Sequence, residues 1–293
     1  MRLLQRNSTG QFSLTEDLSG DGIPEYAILS HTWGADTEEV TFEDITNGIG
    51  EDKPGHEKIR FCGEQARQDD LLYFWIDTCC INKSNKAELS RSINSMFHWY
   101  RSATRCYVYL SDVSSPPVAD TIIECNLRPW ESDFRKSRWF TRGWTLQELL
   151  APASVEFFSR ERKRLGNKSS LMQLIYEITN IPHSALQGDP LSQFSFQERS
   201  RWIQHRQTKL EDKVYSLLGI FDVNMLLIYG EGAASAHARL KDEFDRIQKC
   251  IQELQLTDPR DDKKRIEDTK GGLLEDSYRW ILKNSNFQQW HSA

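Results

Sequence analysis

Three apolar runs of strand length, each ending in polar residues, constrain this chain most. They are Tyr26–Ser30, Leu72–Asp77 and Cys106–Leu110, the last followed by Ser111 and Asp112. A continuous apolar run, without alternation, marks a strand buried on both faces, as in a parallel sheet. Val155–Phe158 reads as a fourth strand. The segments between them carry helical spacing. Lys58–Asp69 aligns Ile59, Cys62 and Ala66, and Lys86–Arg101 aligns Ile93, Met96, Phe97 and Tyr100. Strand and helix in alternation predict an α/β fold with a mostly parallel, flavodoxin-like sheet flanked by helices. Right-handed crossovers then bring the strand ends at Ser30, Asp77 and Asp112 to one edge. That carboxyl edge is where open α/β sheets present polar groups to ligands.

Around this core, residues 1–24 show little periodicity and read as an irregular lead-in, and residues 25–160 form the α/β part. Within it Val40–Phe42 reads as a short extended piece, Lys53–Gly55 as a turn, and Ser114–Pro117 as the start of a long loop. Residues 161–256 turn helical, with candidate helices at Ser170–Thr179, Phe196–Gln207, Lys209–Ile220 and Ala233–Leu256. This half reads as a lid or buttress. In residues 257–293, the mixed-charge run Thr257–Lys270 cannot pack a core and reads as a linker. A short helix is predicted at Leu274–Lys283.

The charge balance narrows the partners. Acidic residues exceed basic ones, 43 to 37, for a net charge of −6. A nucleic-acid or membrane-surface binder carries a basic excess instead, so neither partner is expected. No apolar run approaches the roughly 20 residues that cross a bilayer, and the N-terminus lacks a secretory signal. The six cysteines show no zinc-ligand spacing and read as reduced, buried thiols of a cytoplasmic protein. No P-loop, nucleophile elbow, dinucleotide fingerprint or zinc helix occurs, so no metal or resident cofactor is expected. The histidines are scattered. His98, within a helix, reads as a surface or satisfied core residue and not a ligand, whereas His31 stands out by its place at a strand end.

The stretch Ser137–Pro152 concentrates the chemistry. It reads as a helix entered through Gly143 and closed before Pro152, with Leu146, Leu149 and Leu150 on the core stripe. Glu148 lies off that stripe, four residues after Trp144 and so on the same side as its indole. A carboxylate beside a large aromatic suits catalysis; on the helix alone Glu148 reads equally as a solvated or dipole-facing residue. Asp77 is likewise ambiguous between a ligand contact and a cap on the following turn.

Four segments taken together resemble the fungal heterokaryon-incompatibility (HET) domain. They are Tyr26–Gly34 (YAILSHTWG), Trp75–Asn82 (WIDTCCIN), Arg142–Leu149 (RGWTLQEL) and Lys209–Gly219 (KLEDKVYSLLG) with the later Tyr229–Gly232 (YGEG). The likeness covers roughly residues 25 to 245. Beyond Asp258 the chain resembles the lead-in to a NACHT module of a NOD-like receptor, which implies an N-terminal effector part, with NACHT and sensor domains following. The family implies programmed cell death after non-self recognition, with self-association on activation. HET domains are similar to TIR domains, some of which cleave NAD with a glutamate in a Trp-x-x-x-Glu-Leu motif. Trp144–Leu149 has that form, so the resemblance implies Glu148 as the catalytic carboxylate and NAD as the substrate. It further implies Ser30, His31, Trp33, Gly34, Asp77, Asn82, Arg142 and Trp144 as contacts of the nucleotide. The long Ser111–Arg138 loop and the helical half after Ser159 have no counterpart in a minimal TIR domain.

Overall fold

The apolar runs do become buried strands. In the computed structural model, which describes residues 1–7, 10–115, 128–208 and 210–256, strand β3 (Tyr26–His31) is buried at every position. It lies between β4 (Tyr73–Trp75) and β5 (Arg105–Tyr109), and β6 (Val155–Phe158) extends the sheet beyond β5; all four are parallel. In chain order these strands stand 2-1-3-4, the flavodoxin-like order, whose switch point falls between the first strand, β3, and the third, β5. Trp75 stands opposite Ile28, so Asp77, two residues on, reaches the level of Ser30.

Three further strands complete a seven-stranded sheet of order β2-β1-β4-β3-β5-β6-β7. The lead-in is not irregular: β1 (Leu4–Arg6) and β2 (Phe12–Leu14) form an antiparallel pair, and β1 adds antiparallel to β4. At the far edge β7 (Arg164–Asn167) runs antiparallel to β6. The parallel centre is therefore bordered on both sides by short antiparallel strands.

Helices fill the crossovers: α1 (Phe42–Asn47), α2 (His56–Gln68), α3 (Lys86–Ser102), α4 (Glu131–Lys136) and α5 (Thr145–Leu150). The extended piece expected at Val40–Phe42 is the entry to α1. Thr41 is extended because it is the N-cap, and it closes a capping box with Asp44. The helical half holds α6 (Met172–Thr179), α7 (His183–Gln187), α8 (Phe196–Arg201), α9 (Asp212–Tyr215), α10 (Leu218–Phe221) and α11 (Ala233–Leu256). The single helices expected at Phe196–Gln207 and Lys209–Ile220 are shorter. The first ends at Arg201, and the second is split between α9 and α10. The chain divides into two compact units, Met1–Lys241 and Asp242–Ala293, and the sheet and the site below belong to the first. The charged run, the helix expected at Leu274–Lys283 and most of the Ser114–Pro117 loop onward to residue 127 lie outside the described residues.

Cys62, Cys79, Cys80 and Cys106 are buried free thiols and Cys250 is exposed. His98 is exposed on α3. Among the described residues no helix is long and apolar enough to cross a membrane.

Two aromatic groups anchor the core. Trp75 meets Trp99 and Tyr100 edge-on, and Trp139 meets Phe140 and Phe157 in the same way. Helix α10 approaches α3 at Gly219, where an added Cβ would fall 2.0 Å from Cβ of Phe97. Gly219→Ala is therefore expected to push the two helices apart and lower stability by about 1–3 kcal/mol. Urea unfolding of the two proteins measures it; equal midpoints would mean that α10 is free to shift.

Candidate functional site

Local structure sets the site. Ser30 and His31 end β3, Asp77 follows β4, and Asp112 lies beyond β5. Asp112 accepts from Ser137 Oγ at 2.7 Å and from the backbone N–H of Arg138 at 2.8 Å. That contact fixes the 3-10 turn Arg138–Thr141, which carries Trp139 into the core. The chain then passes Gly143, where a Cβ would collide with Thr208 Cγ2 at 2.1 Å, and enters α5. Only glycine lets this segment approach the 207–208 strand-like bridge so closely.

Every residue of α5 is buried, Glu148 among them at 5% exposure. The solvated reading of Glu148 is thereby overturned: the helix has no wet face for it to occupy. Its carboxylate accepts a hydrogen bond from Ser30 Oγ. Ser30 Oγ in turn accepts from the indole N–H of Trp139 at 2.7 Å. The indole that serves Glu148 through Ser30 is thus Trp139, not Trp144. Trp144 stands half-buried at the N-cap position of α5, and its indole makes no hydrogen bond among the described residues.

Burial pushes the Glu148 carboxyl up to about 8, and the nearby Asp77 charge adds to the shift; the Ser30 hydrogen bond, Arg206 and Arg142 oppose it. Asp77 is itself raised by burial, with Lys83 opposing. His31 is held well below its ordinary value by burial, then by Lys58, Lys83 and Arg142. Its Nε2 lies 3.9 Å from Asp77 Oδ1, beyond hydrogen-bond reach, and neither ring nitrogen has a hydrogen-bond partner among the described residues.

The other residues singled out in the sequence divide. Trp33 donates its indole N–H to Asp77 Oδ2 at 2.8 Å and is 37% exposed, with the Lys83 ammonium 3.8 Å from its ring centroid. Asp77 thus combines a structural contact with one free oxygen. Gly34 serves the loop after β3: its N–H donates to Glu39 Oε1 at 2.6 Å, and Glu39 pairs with Lys58. Asn82 ties the loop before α3, accepting from Ser84 N–H at 3.1 Å through Oδ1, while its own N–H donates to Glu88 at 2.9 Å. Arg142 is exposed and forms no ion pair among the described residues, so it does not plug Glu148. Ser30, His31, Trp33 and Asp77 come together at the carboxyl edge beside Glu148; Gly34 and Asn82 shape its loops.

Two residues escape the sequence reading. Trp139 has no marker beyond its place in Ser137–Trp144, since a helical wheel selects Trp144. Arg206, in the helical half, is 6% exposed and donates from Nη1 to Arg142 O at 2.9 Å and to Thr145 Oγ1 at 2.8 Å. Two resolved surface hollows, lined among others by Phe12, Glu51 and His56, lie on other parts of the chain surface and include no residue of this site. Among the described residues no cluster of His, Cys, Asp and Glu is arranged to hold a metal ion.

Fold and site define an α/β domain of flavodoxin-like strand order with an enclosed carboxyl at its switch point. Residues 26–124 match the family described as Heterokaryon incompatibility protein (HET). The chain is also 54% identical over 294 residues to Vegetative incompatibility protein HET-E-1 of Podospora anserina, covering 100% of this chain and 21% of that relative. Both findings support a HET domain from a heterokaryon incompatibility protein. The chain spans about a fifth of the length of the curated relative it matches. No solved structure matches the chain.

The raised carboxyl has a thermodynamic signature. Between about pH 4.5 and pH 8 the folded chain keeps a proton on Glu148 that the unfolded chain releases. This group's contribution to stability therefore falls as pH rises through that window, by on the order of 5 kcal/mol in all. His31 has the opposite sign, because its depressed value costs stability as pH falls below its ordinary 6.5. Unfolding free energies across this range should show wild type losing ground to Glu148→Gln as pH rises. Parallel curves would contradict the placement of the carboxyl.

Proposed function

We propose that this chain is the cell-death effector part of a fungal non-self recognition receptor and cleaves the nicotinamide–ribose bond of NAD when it self-associates. The observation that carries the chemistry is Glu148: a buried carboxyl with no ion-pair partner among the described residues, hydrogen-bonded to Ser30 at the carboxyl edge of a flavodoxin-like sheet. In this reaction the bond between ribose C1′ and the pyridinium nitrogen breaks, and its electron pair stays with nicotinamide. Water adds to C1′ and loses a proton, leaving ADP-ribose. The transition state carries oxocarbenium character, which an ionised carboxylate in a low-dielectric site stabilises. One carboxylate suffices, because nicotinamide leaves as a neutral molecule from a cationic ring.

The cationic substrate also supplies what the free site lacks. A positive pyridinium beside Glu148 favours ionisation, offsetting the burial that holds the carboxyl protonated. In this reading the exposed Trp33 would stack on a ring, and the His31 nitrogens and Asp77 Oδ1, without hydrogen-bond partners among the described residues, would bond a ribose or amide. The enclosure of Glu148 fits a site that rests closed in the cytoplasm and opens on assembly. The 21% coverage of the relative fits a longer receptor with further domains, NACHT and sensor among them.

A second reading is a non-catalytic module that signals by recruiting partners. Leu210, Leu226, Ile228 and Tyr229, all exposed apolar residues of the helical half, favour it. The two separate cleanly. Chain forced to cluster should release nicotinamide from NAD, and Glu148→Ala should reduce this at least a thousandfold in chain that remains folded. Cell killing that survives Glu148→Ala but is lost on substituting Leu226 and Ile228 supports recruitment instead.

A further inference from the structure

Arg206 is a buried cation without a carboxylate in contact among the described residues. Burying a guanidinium is costly unless charge and hydrogen bonds compensate it. Its Nη1 is satisfied by Arg142 O and Thr145 Oγ1, while Nη2 is buried without a hydrogen-bond partner among the described residues. The one opposite charge that acts on it appreciably is Glu148, and the attraction is mutual.

The hydrogen bonds lead to the same carboxylate. Thr145 Oγ1, which accepts from Arg206, donates to Trp139 O at 2.6 Å. The Trp139 indole donates to Ser30 Oγ, and Ser30 donates to Glu148. Thr145 and Glu148 lie three residues apart on α5, so the contacts close a ring through the helix backbone. Arg206 also holds the carbonyl of Arg142, next to Gly143, whose N–H donates to Gln207 O at 3.2 Å. One residue of the helical half thus clamps the entry of the helix that carries the acid.

We propose that Arg206 is the positioning residue and buried counter-charge of Glu148, so that the helical half completes the site on the sheet edge. This rests on the reading of Glu148 as the reactive carboxylate, but its electrostatic part stands apart from turnover. The groups acting on Glu148 are Ser30 from β3, Asp77 after β4, Tyr100 from α3, Cys106 from β5, and Arg142 and Arg206. Tyr100 and Cys106 are buried and held neutral, their ionisation pushed well up by burial and then by Glu148. His31 is also held neutral and Asp77 opposes ionisation, which leaves the two arginines to favour it. Arg142 is exposed and screened by water, whereas Arg206 is not.

The test titrates Glu148 in the full chain by the infrared carbonyl band of its protonated carboxyl, assigned by its loss in Glu148→Gln. Arg206→Gln should move the midpoint up by about one pH unit. Arg206→Lys should leave it within a few tenths, and Arg142→Gln should move it less than Arg206→Gln. An unmoved midpoint in folded Arg206→Gln overturns the proposal. Should that variant not fold, Arg206→Met or Arg206→His takes its place, with the same upward shift expected and an unmoved midpoint in the folded variant overturning the proposal equally. If clustered chain turns over NAD, the alkaline shift should appear in kcat at unchanged KM. A raised KM with an unmoved pH profile would make Arg206 a substrate contact instead. Absence of turnover counts against NAD cleavage and leaves the infrared result standing.

Discussion

The hydrogen bond from Ser30 to Glu148 joins the end of the first parallel strand to the helix that precedes the fourth. Both groups are buried, so neither has water as an alternative partner, and breaking the contact leaves a carboxyl and a hydroxyl unpaired in the interior. Trp139 completes the arrangement, because its indole donates to the same hydroxyl. A single hydroxyl thus fixes a strand end, a 3-10 turn and a short helix in mutual register. Burial favours the neutral acid, whereas the hydrogen bond and two arginines favour the anion. The result is a carboxyl poised near neutrality, the range in which acid–base and charge-stabilising groups operate.

The sheet alone does not build this site. Its carboxyl edge supplies Ser30, His31 and Asp77, and the crossover to β6 supplies Trp139 and Glu148. The clamp on that crossover comes from the helical half. Arg206 takes the Arg142 carbonyl, residues 142 and 207 form a bridge, and the absence of a side chain at Gly143 admits Thr208. The helical residues up to Lys241 are accordingly part of the same compact unit as the sheet. What reads in the sequence as a buttress contributes a charge to the chemistry of the edge.

Much of the architecture is legible from patterns of apolar residues. Tyr26–Ser30 is buried throughout and Cys106–Leu110 is buried except at half-buried Tyr109, as parallel strands with covered faces require. The antiparallel borders are not legible, because β1 and β2 have three residues each, too few for a period to declare itself. Leu72, read into the second strand, is 77% exposed and precedes it; an apolar residue at a strand entrance carries no sign of its own burial. Glu148 was legible as a candidate from its helix, but its environment was not. That required knowing that all six residues of α5 are covered, some of them by elements distant in sequence. Helical spacing selected Trp144, while the indole that matters arrives through a 3-10 turn whose geometry depends on Asp112. Arg206 lies 58 residues from Glu148, and nothing local marks it.

Enclosure and chemistry have to be reconciled, since a carboxyl 5% exposed does not meet a dinucleotide without movement. Trp33, half in solvent and held by one hydrogen bond to Asp77, is the part of the edge with least to lose by moving. The central claim is that Glu148 is a buried, proton-bearing carboxyl that a cationic dinucleotide can reach and ionise. Carbon NMR of chain labelled at the glutamate carboxyl, with and without a non-hydrolysable NAD analogue in the clustered state, tests it most directly. The account predicts a Glu148 titration near pH 8 in the free chain, displaced downward when the analogue binds. A titration at the ordinary glutamate value of 4.5, or one that the analogue leaves unmoved, would contradict it.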